Sequence, residues 1–304
     1  MPAEDPGERK TVRLVLSYDG TDFVGWQAQP AQRNVQEVLE AAIWAIDPRA
    51  SRVRGASRTD SGVHAEGQVV AFDSAMGVPL HGWVRGLNGK LPQDVAVVEA
   101  QHAPLYYSPR YDALAKTYRY LLHVGQERDP LWRRRAWHIC PRRARPRPGG
   151  IGPVLDLDRM EAAMPHLVGT HDFRAFRSVL DTRDATVRTL SRVEMVRGFG
   201  GARDVVAIEV RGNAFLQHMI RILVGTLLEV GRERLAPDAV PGLLTPTSER
   251  TDTGETAPAH GLCLVNMELG RAELEARAAG RTVEWRAPLK GRPDPAPDRG
   301  SDEG

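Results

Sequence analysis

Along this chain the apolar residues switch between two spacings. One is the two-residue period of a half-buried strand, and the other is the three-to-four-residue period of an amphipathic helix. The connections between such segments are short. That restricts the fold to layered mixtures of sheet and helix and favours antiparallel pairing over long crossovers. Val12, Leu14 and Leu16 alternate with Arg13, Val15 and Ser17, which predicts a strand over 12–18 closed by an Asp19-Gly20 turn. Asn34 with Glu37 three residues on reads as a capping box. Val35, Val38, Leu39, Ala42, Ile43 and Ile46 then mark a helix that Pro48 ends. Further strands are predicted at 68–72 and 95–100, with a helical stretch at 83–87 between them. The second half follows a similar pattern, with strands at 117–123, 190–196, 205–210 and 262–268 and helices at 158–167 and 213–230. The expectation is an α+β chain of two similar halves, residues 11–108 and 109–285, between a disordered lead-in (1–10) and a disordered tail (286–304) rich in Pro, Asp and Gly. A Pro-, Arg- and Gly-crowded stretch at 141–153 reads as a mobile basic insertion, and the polar run 249–255 as a flexible loop.

Composition excludes several classes. No apolar run reaches the roughly 18 residues of a membrane span, and the polar start, Met1 to Lys10, does not resemble a secretory leader. Two widely separated cysteines, Cys140 and Cys263, argue against a disulfide framework or zinc site and suit a reducing cytoplasm. The formal charge is only +2, but it is unevenly spread: residues 105–149 hold eleven Lys or Arg against three acids. A polyanion would be drawn there. Because 37 of the 41 basic residues are Arg, the same stretch fits a solvated loop in a protein with GC-rich coding equally well.

Chemistry concentrates in Gly55-Ala56-Ser57-Arg58-Thr59-Asp60-Ser61-Gly62-Val63-His64. Asp60-Ser61-Gly62 is a turn signal, and an Asp in such a turn is ordinarily structural. Here, though, Arg58, Asp60 and His64 fall within seven residues just ahead of a strand, a place from which a carboxylate can be held rigidly toward a substrate. On the predicted 213–230 helix, Gln217, His218, Arg221 and Gly225 share one stripe, which by itself is the solvated side of an amphipathic helix. Tyr118 and Tyr120 lie on one side of a strand, where packing is the ordinary role.

Arg58-Thr59-Asp60, Gly62-Val63-His64-Ala65 resembles the catalytic motif of the TruA family of pseudouridine synthases, with Ser57 standing where that pattern has Gly. Other segments follow in the family's order: 18–27, Asn34-Val35-Gln36-Glu37, Ala115-Lys116-Thr117-Tyr118-Arg119-Tyr120, 169–176, Asn213-Ala214-Phe215-Leu216-Gln217-His218-Met219-Ile220-Arg221, and 257–262. The resemblance covers residues 11–270 and omits the insertion and the tail.

What the resemblance implies can be stated residue by residue. The fold is the pseudouridine synthase fold, two α/β halves each with a mixed, mostly antiparallel sheet flanked by helices around a central RNA-binding cleft. The activity is that of an isomerase, an intramolecular transferase that converts uridine to pseudouridine at positions 38–40 in the anticodon stem-loop of tRNA. Asp60 is the catalytic carboxylate, Arg221 the guanidinium that orients it, in bidentate fashion, and Tyr118 the ring that stacks on the uracil. Arg58 fills or props the space left by the extruded base, and His64 meets the RNA backbone, a role no better supported than that of a hydrogen-bonded loop histidine. The implied protein is a cytoplasmic homodimer that needs tRNA but no cofactor, metal or membrane. The rivals are a non-catalytic RNA-binding protein and a metal-dependent carboxylate hydrolase; around Asp60 the sequence lacks ligand-spaced Asp, Glu and His for the latter.

Overall fold

A computed structural model of the protein describes residues 9–29, 31–140 and 155–272. The 141–153 insertion and the 286–304 tail lie outside the described residues, as does most of the lead-in, whose Lys10 already opens the first strand.

In chain order the elements are β1 (Lys10–Tyr18), α1 (Val35–Trp44), β2 (Arg54–Gly55), β3 (His64–Ser74), α2 (Leu80–Asn88), β4 (Val95–Ala103) and the short α3 (Pro109–Asp112). Then come β5 (Ala113–His123), β6 (Trp137–His138), α4 (Leu157–Ala163), β7 (Gly169–Asp172), β8 (Val187–Arg197), β9 (Val205–Gly212), α5 (Met219–Gly231) and β10 (Leu262–Leu269). The sheets expected of the two halves run on into one another. One ten-stranded sheet has the order β4-β1-β3-β10-β5-β9-β8-β7, with β2 beside β3 and β6 beside β5. Pairing is antiparallel except for β3 with β10 and β5 with β6. The strand at 262–269 therefore sits inside the sheet, between β3 and β5.

Most of the local signals act as expected. The Asn34 side chain accepts the Glu37 N–H at 2.9 Å, satisfying a free donor at the start of α1. The Glu37 carboxylate returns to the Asn34 side-chain amide at 2.8 Å instead of to the backbone of the cap. Val12, Leu14 and Leu16 point into the core, and β3 is buried on both faces. Phe72 of β3 meets Trp83 of α2 edge to face at 5.0 Å, anchoring the helix layer on the first half. A smaller apolar cluster of Leu121, Ala136, Val205 and Ala207, with Trp132 and Phe199 beside it, packs separately from the main core.

Two expectations are corrected. The helix predicted over 213–230 begins only at Met219. Residues 213–218 are irregular and turn only at Gln217-His218, because Asn213 does not cap a helix: its carboxamide oxygen accepts the N–H groups of Ala214 and Thr189 instead. The stretch 249–255 is not a loose loop. Arg250 ties it together through Thr253 Oγ1, the Gly254 carbonyl and Thr256 Oγ1. It lies so close to α5 that a Cβ on Gly225 would fall 1.8 Å from the Glu255 carbonyl oxygen. None of the described helices is long and apolar enough to cross a membrane.

Candidate active site

The Asp60 loop precedes β3 and is held by backbone bonds from a neighbouring loop. The Trp26 N–H donates to the Thr59 carbonyl at 3.1 Å, and the Gly62 N–H to the Phe23 carbonyl at 3.2 Å. Within the loop the Val63 N–H closes onto the Asp60 carbonyl at 3.1 Å. Thr59 is buried, with its hydroxyl 2.8 Å from the Tyr18 hydroxyl. Two glycines make this geometry possible. Gly25 has φ +112°, and a Cβ there would sit 2.6 Å from the Thr59 carbonyl oxygen; Gly62 turns the chain at φ +77°. The result is a carboxylate on a rigid tether, with about a third of the Asp60 side chain open to solvent (32%).

Facing it are two residues from the start of α5, 158 and 161 positions later in the sequence. The Arg221 guanidinium lies 3.8 Å, and His218 Nε2 3.6 Å, from the same Asp60 oxygen. These are ionic contacts, longer than hydrogen bonds. The bidentate clamp expected of Arg221 does not form, because its Nε–H is committed to the Ala257 carbonyl at 2.6 Å. Arg221 is mostly buried, at 15% side-chain exposure, so the solvated polar face is also not its fate. α5 is buried nearly all round, with Ile222, Leu223, Val224 and Leu227 fully covered, and the few polar groups near its start are aimed at the site. Burial pushes the Arg221 pKa below its ordinary value while the Asp60 carboxylate opposes the shift. Burial likewise lowers that of His218; Asp60 pulls it up, and Arg221 and Arg250 push it down again. Asp60 is the one carboxylate bearing on this group of cationic side chains among the described residues.

Tyr118 completes the site from β5. It is 7% exposed, Phe215 stands edge-on to its ring at 5.3 Å, and burial pushes its hydroxyl pKa up to about 12, with the Asp60 charge adding to the rise. Tyr120, on the same side, is fully buried, and its hydroxyl donates to the Pro258 carbonyl at 2.8 Å, the packing role expected of it. Arg58 is exposed beside Asp60. His64 is buried, and its ring has the hydrogen-bonded loop role that stood beside RNA contact. Its Nδ1 accepts the Gly20 N–H at 3.1 Å, and Nε2–H points at the Arg134 and His260 carbonyls at 2.8 and 3.0 Å. The Asp19 carboxylate also lies 3.1 Å from Nδ1, and these contacts together make His64 a clamp behind the loop.

The sequence brought Asp60, Arg221 and Tyr118 forward, and the fold gathers all three. It missed His218 and Arg250 as members of the site. His218 stood in the polar stripe, but a continuous helix would have put it on a surface. Its left-handed backbone (φ +63°) is what turns the ring back to Asp60. No local signal marked Arg250 in a polar run.

A family model described as tRNA pseudouridine synthase matches residues 14–112 and 163–268. The chain belongs to the tRNA pseudouridine synthase family. The tRNA pseudouridine synthase A of Geotalea uraniireducens is 41% identical over 258 residues, 85% of this chain and 99% of that protein. Those of Geobacter sulfurreducens (40% over 255 residues, 84% and 98%) and Acetivibrio thermocellus (37% over 258 residues, 85% and 99%) are similar. The matched segments of the family model include Asp60, His218 and Arg221; Tyr118 and the 141–153 insertion fall between them. Members of this family are isomerases, so the catalytic reading prevails over that of a passive RNA-binding protein.

Proposed function

We propose that this protein converts uridine to pseudouridine at positions 38–40 of the tRNA anticodon arm, with Asp60 as the catalytic carboxylate. The observation that carries the reading is the meeting of Arg221 and His218 with one oxygen of Asp60. The reaction breaks the bond from ribose C1′ to uracil N1, turns the base, and joins C1′ to C5; the C5 proton is lost and N1 gains one. Product and substrate are isomers, so no group or electron is supplied from outside. The chain must provide a fixed anion at the sugar and base, a means of orienting it, and access to a stacked nucleotide.

Asp60 provides the anion, and its rigid loop places it without rearrangement. Arg221, anchored on the Ala257 carbonyl, orients the carboxylate from one side. Extruding a paired base costs a few kcal/mol, and exposed Arg58, two residues before Asp60, would fill the vacated space or hold the displaced strand. Tyr118 forms the wall against which the base lies. The exposed Arg133 and Arg134 belong to the basic stretch that would grip phosphates without reading sequence. The same reading includes a homodimer that shares each tRNA, a cytoplasmic setting, the chain division at residue 108 and no cofactor.

The test is tritium release from tRNA labelled at uracil C5, followed by pseudouridine mapping of the anticodon arm. Asp60→Asn should abolish release while tRNA binding persists, because the fold does not depend on this partly exposed side chain. Turnover retained by Asp60→Asn refutes the assignment.

A further inference from the structure

Position 57 is where the catalytic loop departs from the motif that the rest of it matches, carrying Ser in place of Gly. The added hydroxyl is not idle. It lies 3.1 Å from the Lys116 ammonium and 3.3 Å from the Tyr118 hydroxyl. Lys116 and Tyr118 are two residues apart on β5, so both side chains stand on one face of the strand. The backbone at Ser57 is itself held, since the Gln68 side-chain amide donates to its carbonyl at 2.7 Å and the Ala56 N–H to the Val69 carbonyl at 2.9 Å.

The chemistry of these groups favours one direction for the chain of bonds, in which Ser57 spends its single hydrogen on Tyr118. An ammonium has donors only. Ser57 Oγ therefore accepts from Lys116, and its own hydrogen is free to go to Tyr118 Oη. Once that oxygen accepts from Ser57, the Tyr118 O–H is turned away from Ser57 and left to donate to another group; the Asp60 charge bears on this hydroxyl. We propose that Ser57, oriented by Lys116, is a positioning residue that fixes the Tyr118 hydroxyl as a hydrogen-bond donor toward the target base. This rests on the reading of Tyr118 as the wall of the base pocket. A glycine at 57 has no oxygen with which to impose that direction.

Lys116 is suited to the part. The charges that bear on it are Arg110 of α3, Arg183 ahead of β8 and Arg271 just past β10, all of its own sign. Burial, with those like charges adding to it, lowers its pKa to about 8. At pH 7 it remains an ammonium, so the direction of the relay holds under assay conditions.

The experiment is a double-mutant cycle on the full chain at pH 7, reading single-turnover tritium release and apparent tRNA affinity for wild type, Ser57→Ala, Tyr118→Phe and the double variant. Ser57→Ala should slow release about threefold to tenfold, the loss of one neutral hydrogen bond, with affinity unchanged. In the Tyr118→Phe background the same substitution should remove little further, because the hydroxyl it directs is gone. Lys116→Met should reproduce the Ser57→Ala loss without adding to it. An equal loss in both backgrounds, a loss confined to affinity, or no loss at all overturns the relay. The activity itself is judged on wild type and Asp60→Asn, so a failed relay in an active parent leaves the proposed function standing, whereas an inactive parent removes both.

Discussion

Residues 55–64 and residues 213–221 bring side chains to the same site, and they are held in contrasting ways. The first is tied by main-chain bonds to the Phe23–Trp26 loop and shaped by glycines whose missing side chains let the backbones nearly touch. The second is tied to the segment before β8 by one main-chain bond and by bonds through the buried Asp181 carboxylate, which a half-exposed Arg183 pairs. The Gln217 N–H donates to Asp181 at 3.0 Å, the Ser178 N–H to the Gln217 carbonyl at 2.9 Å, and Asp181 is paired with a half-exposed Arg183 at 2.5 Å. The Arg183 guanidinium holds the Asp181 carboxyl well below the usual carboxylate range. The anion of the site is thus preset by main-chain bonds and glycines, while the turn ahead of its cationic partners also depends on side-chain bonds through Asp181, which substitution can loosen.

That contrast can be broken or sharpened at three points. The largest effect is expected at Arg221. Arg221→Lys keeps the charge but cannot both donate to the Ala257 carbonyl and reach Asp60, so single-turnover release should fall by about a hundredfold, the size seen when one oriented electrostatic donor is lost. A near-normal rate would show that the glycine-shaped loop orients Asp60 unaided. Next comes Gly25→Ala. The new methyl meets the Thr59 carbonyl in a backbone conformation that L-residues avoid, so equilibrium urea unfolding should show a loss of about 2 kcal/mol, with turnover falling alongside. Unchanged stability there would mean the loop is less rigid than its bonds suggest. The smallest effect is at His218, a non-glycine residue at positive φ. Relief of that strain by His218→Gly offsets the lost ring and the extra freedom of the unfolded chain, leaving stability within about 1 kcal/mol of the parent while release slows severalfold. A larger destabilisation would identify the ring as a packing element instead.

The same contrast explains what was legible beforehand. The loop around Asp60 and the strands and α1 beside it are written in local terms: period-two apolar spacing, a cap at Asn34, glycines where the chain turns. The start of α5 is not. Phe215, Met219, Ile222 and Leu223 keep a helical rhythm across residues 213–223, and only bonds to Thr189, Ser178 and Asp181, far away in sequence, unwind the first turn. The two roles weighed for His64 stayed open for a related reason. Proximity to Asp60 in sequence says nothing about which way a ring points at the entrance of a strand, where side chains alternate between faces. Nor could a period of two reveal that the strand at 262–269 runs between β3 and β5, since alternation reports which side is buried and not which strands are neighbours.

That placement has a consequence for how the protein is made. The segment 257–261 touches both sides of the site at once. Ala257 holds Arg221, Pro258 takes the Tyr120 hydroxyl, and His260 receives the His64 ring, just before β10 wedges between β3 and β5. A growing chain that has emerged from the ribosome only as far as α5 therefore lacks the keystone that joins Asp60 to its partners. The site can be complete only once residues 257–269 have been made.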